Sequence, residues 1–146
     1  MMDKEKALNG FGTGINCAMA VFGELAPELG LPEEQARKIA SAFGSGMGRG
    51  NTCGCVSGAL MALGLAFGAD GAGQSEKAQQ LSEKKSEFEK LFIEKFGSLT
   101  CCEMLGGLNP SVPEQLADIV EKGLMPQICA PAVCFACETV MELIDD

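Results

Sequence analysis

The sequence predicts an all-α fold, a compact helical bundle built round a buried Gly/Ala-rich central helix, and three observations carry that expectation. No run of alternating β-branched residues occurs anywhere in the 146 residues, so a strand has no template. Apolar residues recur instead at helical spacing, and Asn, Thr or Pro–Glu signals precede them as helix starts. The segment from Gly50 to Ala69 carries no charge at all and is dense in Gly and Ala, as suits a helix surrounded by others.

The elements follow in order. Met2 to Leu8 forms a short helix in this reading, brought to an end by the glycines at 10, 12 and 14. Asn16 is a good N-cap for a second helix through Cys17, Val21 and Leu25, which ends near Gly30 and is kinked or shortened by Pro27. Pro32 at a first helical position, Glu33 and Glu34 at the positive end of the dipole, and the stripe Ala36, Ile39, Ala40, Phe43 define a third helix. It dissolves in Gly44-Ser45-Gly46-Met47-Gly48-Arg49-Gly50. The central helix is capped by Asn51 or Thr52; Val56, Leu60, Leu63 and Phe67 lie on one stripe while Gly58, Ala59, Ala62 and Ala66 admit neighbouring backbones. After a surface turn at Asp70-Gly71-Ala72-Gly73, Ser75 to Phe96 is a long charged helix with Leu81, Phe88, Leu91, Phe92 and Phe96 inward. Thr100-Cys101-Cys102-Glu103 has the form of a capping box and opens a short helix ended by Gly106-Gly107. Val112 to Lys122 is the next helix, with Pro113 in its first turn, and the last starts between Pro126 and Pro131 and extends to Leu143.

A chain of this length suits one domain, 1–146. Twenty acidic against 11 basic side chains give a net charge of -9, which speaks against a nucleic-acid partner, since phosphates need a basic patch. With no histidine there is no Ser-His-Asp or Cys-His machinery and no imidazole ligand, so the polar chemistry falls mostly to sulfur. Gly54/Gly58 and Gly64/Gly68 have the small-xxx-small spacing of membrane helices, but the continuously apolar part from Val56 onward is shorter than the ~18 residues of a span, so no membrane insertion is expected. Those glycine surfaces pack either within one chain or between two copies in a homodimer. The amino terminus lacks the apolar run of a secretory signal, and Ile15-Asn16-Cys17 lacks the small residue of a lipoprotein site, so the expected compartment is the cytoplasm. Eight cysteines in a reducing compartment point to metal binding or redox chemistry rather than permanent disulfides.

The pattern Asn16-Cys17, Cys53-Gly54-Cys55-Val56-Ser57-Gly58-Ala59-Leu60, Cys101-x-Glu103-Met104-Leu105-Gly106 and Cys129-x-x-x-Val133 resembles the C_GCAxxG_C_C family of redox-active proteins. The Gly-rich approach from Phe43 to Gly50, Leu63-Gly64-Leu65 and Phe96-Gly97-Ser98 extend the resemblance over nearly the whole chain. It implies redox activity without an assigned reaction, and it places the family's four shared cysteines at Cys17, Cys53, Cys101 and Cys129. The family motif reads Cys-Gly-Ala where this chain has Cys55 in the Ala place, and Cys102, Cys134 and Cys137 are further additions.

The residues themselves lead to a similar place. Cys17, Cys53, Cys101 and Cys129 all fall at expected helix starts, where unpaired N–H groups and partial positive charge favour thiolate over thiol. Arg49, the only charged residue between Lys38 and Asp70, adds a cation to such a site. A purely structural role, cysteine as a small buried hydrophobe, is the competing explanation.

Two chemistries are open. In thiol–disulfide exchange a low-pKa cysteine attacks and a second resolves, with Cys17 and Cys53 the first candidates. Adjacent Cys101 and Cys102 make a poor pair because a vicinal disulfide strains the peptide between them, and the Cys134-x-x-Cys137 motif falls inside a helix with no preceding strand. In metal binding, Cys129-x4-Cys134-x2-Cys137 matches three cysteines of plant-type ferredoxin spacing, the fourth ligand of an iron–sulfur cluster coming from Cys17, Cys53, Cys55, Cys101 or Cys102. Structural zinc has only one Cys-x2-Cys knuckle in its favour. Haem is excluded because Glu138 follows Cys137 where His is needed, and the Gly-rich loop has neither a preceding strand nor the Lys-Ser/Thr of a nucleotide site. Met61, Met104 and Met141 read as core filling, with soft copper(I) ligation the alternative. The leading expectation is a redox protein using Cys17, Cys53, Cys101 and Cys129 as reactive thiols or cluster ligands. Cys55, Cys102, Cys134, Cys137 and Arg49 are the candidate cofactor-binding residues, and the redox partner is open. The alternative is a non-enzymatic metal-binding or structural module.

Overall fold

The uncharged segment after Asn51 becomes α4 (Gly54–Phe67), and the other helices are arranged round it in a computed structural model that describes residues 2–145. Met1 and Asp146, the ends of the expected domain, lie outside the described residues. Before α4 come α1 (Lys4–Gly12), α2 (Cys17–Leu25) and α3 (Glu33–Ala40); after it come α5 (Ser75–Phe96), α6 (Cys101–Met104), α7 (Pro113–Glu121) and α8 (Ala130–Asp145). The described residues contain no strand, only an isolated antiparallel bridge between Thr52 and Thr100, so the fold is all-α as the sequence predicts.

On α4, Cys55, Val56, Ala59, Ala62 and Leu63 have no exposed surface. A methyl group on Gly54 would lie 2.8 Å from the Ala18 nitrogen, and one on Gly58 2.9 Å from the Ala18 oxygen. Both positions must therefore lack a side chain for α2 to rest directly on α4. The Gly54/Gly58 pair is thus engaged within the chain, whereas Gly64 faces open space. On the other side α4 packs against α5 and α8. Phe88 and Phe92 of α5 are fully buried, and Phe96 meets Phe135 of α8 edge-on at 5.5 Å between ring centroids. The helical stretch Met125–Asp145 is long and apolar enough to cross a membrane by length and composition. Ala130, Ala132, Val133, Ala136 and Val140 spend that apolarity inside the bundle, where each is fully buried.

Several boundaries differ from expectation for identifiable reasons. Asp3 caps α1, its carboxylate accepting from the Lys6 backbone nitrogen at 2.8 Å, and the helix continues through Gly10 to Gly12 instead of ending near Leu8. Each interior glycine costs ~1 kcal/mol of helix propensity; Phe11 packed on the core offsets this, and bare Gly10 lets Ile15 come close. α2 ends at Leu25 and tightens into a 3-10 turn, Ala26–Leu29, where Pro27 enters, with Gly30 left-handed (φ 93°). Pro32 is the N-cap of α3 rather than its first residue, and Ile39, assigned to the core stripe, is 53% exposed while Ala36 and Ala40 are buried.

The N-cap of α4 is Cys53 itself, not Asn51 or Thr52. Those two are held by the bridge instead: the Cys53 nitrogen donates to the Leu99 oxygen (2.8 Å) and the Cys101 nitrogen to the Asn51 oxygen (2.6 Å). Around α6 the capping box works through a relay. Ser98 donates its hydroxyl hydrogen to Glu103 (2.8 Å) and accepts from the Thr100 backbone nitrogen (2.9 Å), while the Thr100 side chain makes no cap hydrogen bond. The last helical stretch opens as a wide π-type turn, Met125–Cys129, and runs without a break into α8.

Candidate functional site

Four segments place their cysteines round one cavity. Cys17 opens α2, held by Asn16, whose side-chain oxygen accepts from the Met19 nitrogen (3.0 Å) and whose amide donates to the Ser41 oxygen (3.0 Å). Cys53 caps α4, and the Thr52–Thr100 bridge sets Cys53 opposite Leu99 and Cys101 opposite Asn51, so that both cysteines fall on one face of the paired segments. Cys129 closes the π-type turn before α8. All four line a cavity of about 240 Å³, whose walls are otherwise mainly apolar: Phe11, Ile15, Met104, Leu105, Met125 and Ile128. Among the described residues no charged side chain is part of that lining. Ser45, at the rim, stands in a left-handed turn in which Ser45 (φ 54°), Gly46 (61°), Met47 (62°) and Gly48 (70°) succeed one another. A methyl group on buried Gly46 would lie 2.9 Å from the Cys101 Cβ, so the turn passes hard against that cysteine.

Cys55, two residues after Cys53, is fully buried with its thiol against those of Cys17 and Cys53. Those contacts separate the thiols in acidity. The hydrogen bond from Cys55 draws the Cys53 thiol below its ordinary value against the cost of its burial, aided by the backbone N–H groups of Cys55 and Val56. Cys55 is raised well above its ordinary value by its interaction with the Cys17 and Cys53 thiols and by burial. Burial first, and the charges of Cys53 and Cys17 second, push Cys101 up to about 12 and raise Cys129 as well.

The expectation that every helix-start cysteine favours thiolate is therefore corrected. Loss of water outweighs the helix end at Cys101, where α6 is a single turn, and Cys129 lies inside a continuous helical stretch rather than at its start.

The remaining sequence candidates stand apart from this lining. Cys102 is half-buried against Gly50 and Asn109. Cys134 is raised by burial and by Glu138, and Cys137 is pushed up to about 12 by burial and by Glu24 of α2. The ferredoxin-like spacing consequently runs along one helical stretch, with Cys129 and Cys137 ~12 Å apart along its axis by helical rise. Arg49 is exposed, its guanidinium 4.0 Å from the Met47 sulfur and outside the cavity lining. Among the described residues no three Cys, Asp or Glu side chains are grouped closely enough to hold a metal ion, whereas a structural zinc site takes four ligands.

Sequence reasoning missed the cavity wall. Met104 reads as core filling and Phe11 falls past the expected end of the first helix; only the i, i+3 spacing of Met125 and Ile128 hints at a shared face.

A family model described as "Putative redox-active protein (C_GCAxxG_C_C)" matches residues 15–143. The chain belongs to this family. No curated protein and no solved structure matches the chain. In this C_GCAxxG_C_C protein the motif glycines have a concrete task, since Gly54 and Gly58 are where α2 lies on α4 and so bring Cys17 to Cys53.

Proposed function

We propose that this protein carries out thiol–disulfide exchange, with Cys53 as the attacking thiolate and Cys17 as the resolving thiol. The observation that supports it best is the fully buried Cys55 thiol set against those of Cys17 and Cys53, which draws the Cys53 pKa below its ordinary value while burial holds Cys101 and Cys129 protonated. Thiolate character at one sulfur beside neutral thiols is what exchange requires. Cys53 attacks one sulfur of a substrate disulfide, the S–S bond breaks, and the departing thiolate takes up a proton. Cys17 then loses its proton and attacks the Cys53 sulfur of the mixed disulfide, which releases the second substrate thiol. One disulfide is reduced to two thiols and the protein is left with a Cys17–Cys53 disulfide. In a reducing cytoplasm a cellular dithiol resets it.

The test is one equivalent of a disulfide oxidant added to the anaerobically purified, reduced protein, followed by disulfide mapping. A Cys17–Cys53 bond is expected, with Cys17→Ser trapping the mixed disulfide on Cys53 and Cys53→Ser forming neither species. A brown preparation that bleaches with dithionite, or bound zinc with an unchanging thiol count, would overturn the proposal.

A further inference from the structure

We infer that the substrate is a small, uncharged, apolar disulfide that enters the cavity, and that neither an ionic disulfide nor a disulfide on the surface of a folded protein is accommodated. The inference rests on the exchange chemistry proposed above and adds the chemistry of the ligand. Cys53 is 6% exposed and Cys17 half-buried, so the attacking sulfur is recessed. Exchange needs the attacking sulfur in line with the bond it breaks, and a disulfide fixed on a globular surface cannot reach a sulfur at the foot of a cavity. At about 240 Å³ the space is below the range of drug-sized sites, which suits a molecule of a few carbons on either side of the S–S bond.

Charge is excluded by the lining. None of the Asp, Glu, Lys and Arg side chains among the described residues lines this cavity, whose polar groups beyond the thiols are those of Asn16, Ser45 and the backbone. The Asn16 side chain is already engaged with Met19 and Ser41. A carboxylate carried inside would lose its water and meet no cation, because Arg49 points elsewhere. The apolar wall, including Leu105, Leu116 and Ile128, instead gains from covering propyl-sized groups.

The experiment compares dipropyl disulfide with dithiodipropionate, which has the same chain length but ends in two carboxylates. Both are reacted with the reduced protein at about 0.5 M salt, so that the net charge of -9 is screened. Each rate is divided by that of the same disulfide with a free small thiol, and Cys17–Cys53 formation is the readout. A normalised preference of about 100-fold for the neutral disulfide is expected. Leu116→Lys, which adds a cation to the wall, should reduce that preference about tenfold. Equal normalised rates, a preference for the dianion, or faster oxidation by a folded protein disulfide would overturn the substrate class while leaving exchange intact. No Cys17–Cys53 disulfide with any oxidant would overturn the exchange reading beneath it.

Discussion

Replacing Gly58 by Ala sets a gain in helix propensity against a collision. The new methyl group would lie 2.9 Å from the Ala18 oxygen, 3.2 Å from the Val21 Cβ and 3.3 Å from the Ala18 Cα. Two of these three are backbone atoms of a packed helix and cannot swing aside, so relief requires α2 to move. Overpacking of this kind costs about 1–3 kcal/mol, while Ala for Gly in a helix returns about 1 kcal/mol, which leaves a net loss of roughly 1 kcal/mol. Gly64→Ala, on the same helix, has no neighbour within 4 Å and should show only the gain. The two variants therefore differ by about 2 kcal/mol, a factor of ~30 in the folding equilibrium and about 4–8 °C in Tm for a chain of this size. Urea unfolding of the reduced proteins followed by far-UV circular dichroism reads the difference, since a chain without Trp or Tyr offers little intrinsic fluorescence. Equal stability of the two variants would refute the seating of α2 on Gly58.

Cys55→Ala removes the donor that holds Cys53 down, so the pH midpoint for iodoacetamide labelling of Cys53 should move upward and labelling at neutral pH should slow, with Cys55→Ser recovering part of the effect; mass spectrometry of the labelled peptide reads both. The raised thiols act on stability in the opposite sense. Cys101 and Cys137 stay protonated in the fold to about 12 while the unfolded chain ionises from about 8.5, so the reduced protein should lose close to tenfold in folding equilibrium per pH unit per thiol above that value. Urea midpoints at increasing pH test this, and Cys137→Ala should flatten the decline. Ser98→Ala deletes the relay between Glu103 and the Thr100 nitrogen and should cost about 1 kcal/mol, measured by the same unfolding assay.

Features encoded in a few neighbouring residues were legible before the structure. The Asn16 cap, the span Ser75–Phe96 with its buried Phe88 and Phe92, and the left-handed Gly30 follow from local chemistry that packing leaves unopposed. The Pro-containing starts were legible only to within a residue or a turn, because Pro32 and Pro126 mark a helix beginning without fixing which residue leads it. What escaped depends on segments far apart in the chain. Nothing near Thr52 announces its pairing with Thr100, yet that bridge removes Asn51 and Thr52 from capping and makes Cys53 the cap. Cys55 looks in sequence like one more thiol for a cofactor; only its buried position against Cys17 and Cys53 lets it draw the Cys53 thiol down. The placement of Arg49 likewise turned on the handedness of the loop before it, which a run of alternate glycines permits without specifying.

That handedness has a consequence for chirality. Where Ser45, Gly46, Met47 and Gly48 follow one another in left-handed geometry, the chain briefly takes the form that D-residues prefer, and each L side chain present is held there at a cost of about 1–2 kcal/mol. The ordinary ranking of amino acids is inverted over these four positions: taking a side chain away at Ser45 or Met47 relieves the backbone, and adding one at Gly48 burdens it even though the space is open. A D-alanine introduced at Gly48 by chemical ligation would sit in its own favoured backbone region, which makes this turn a place where a mirror-image building block suits the backbone better than any natural one bearing a side chain.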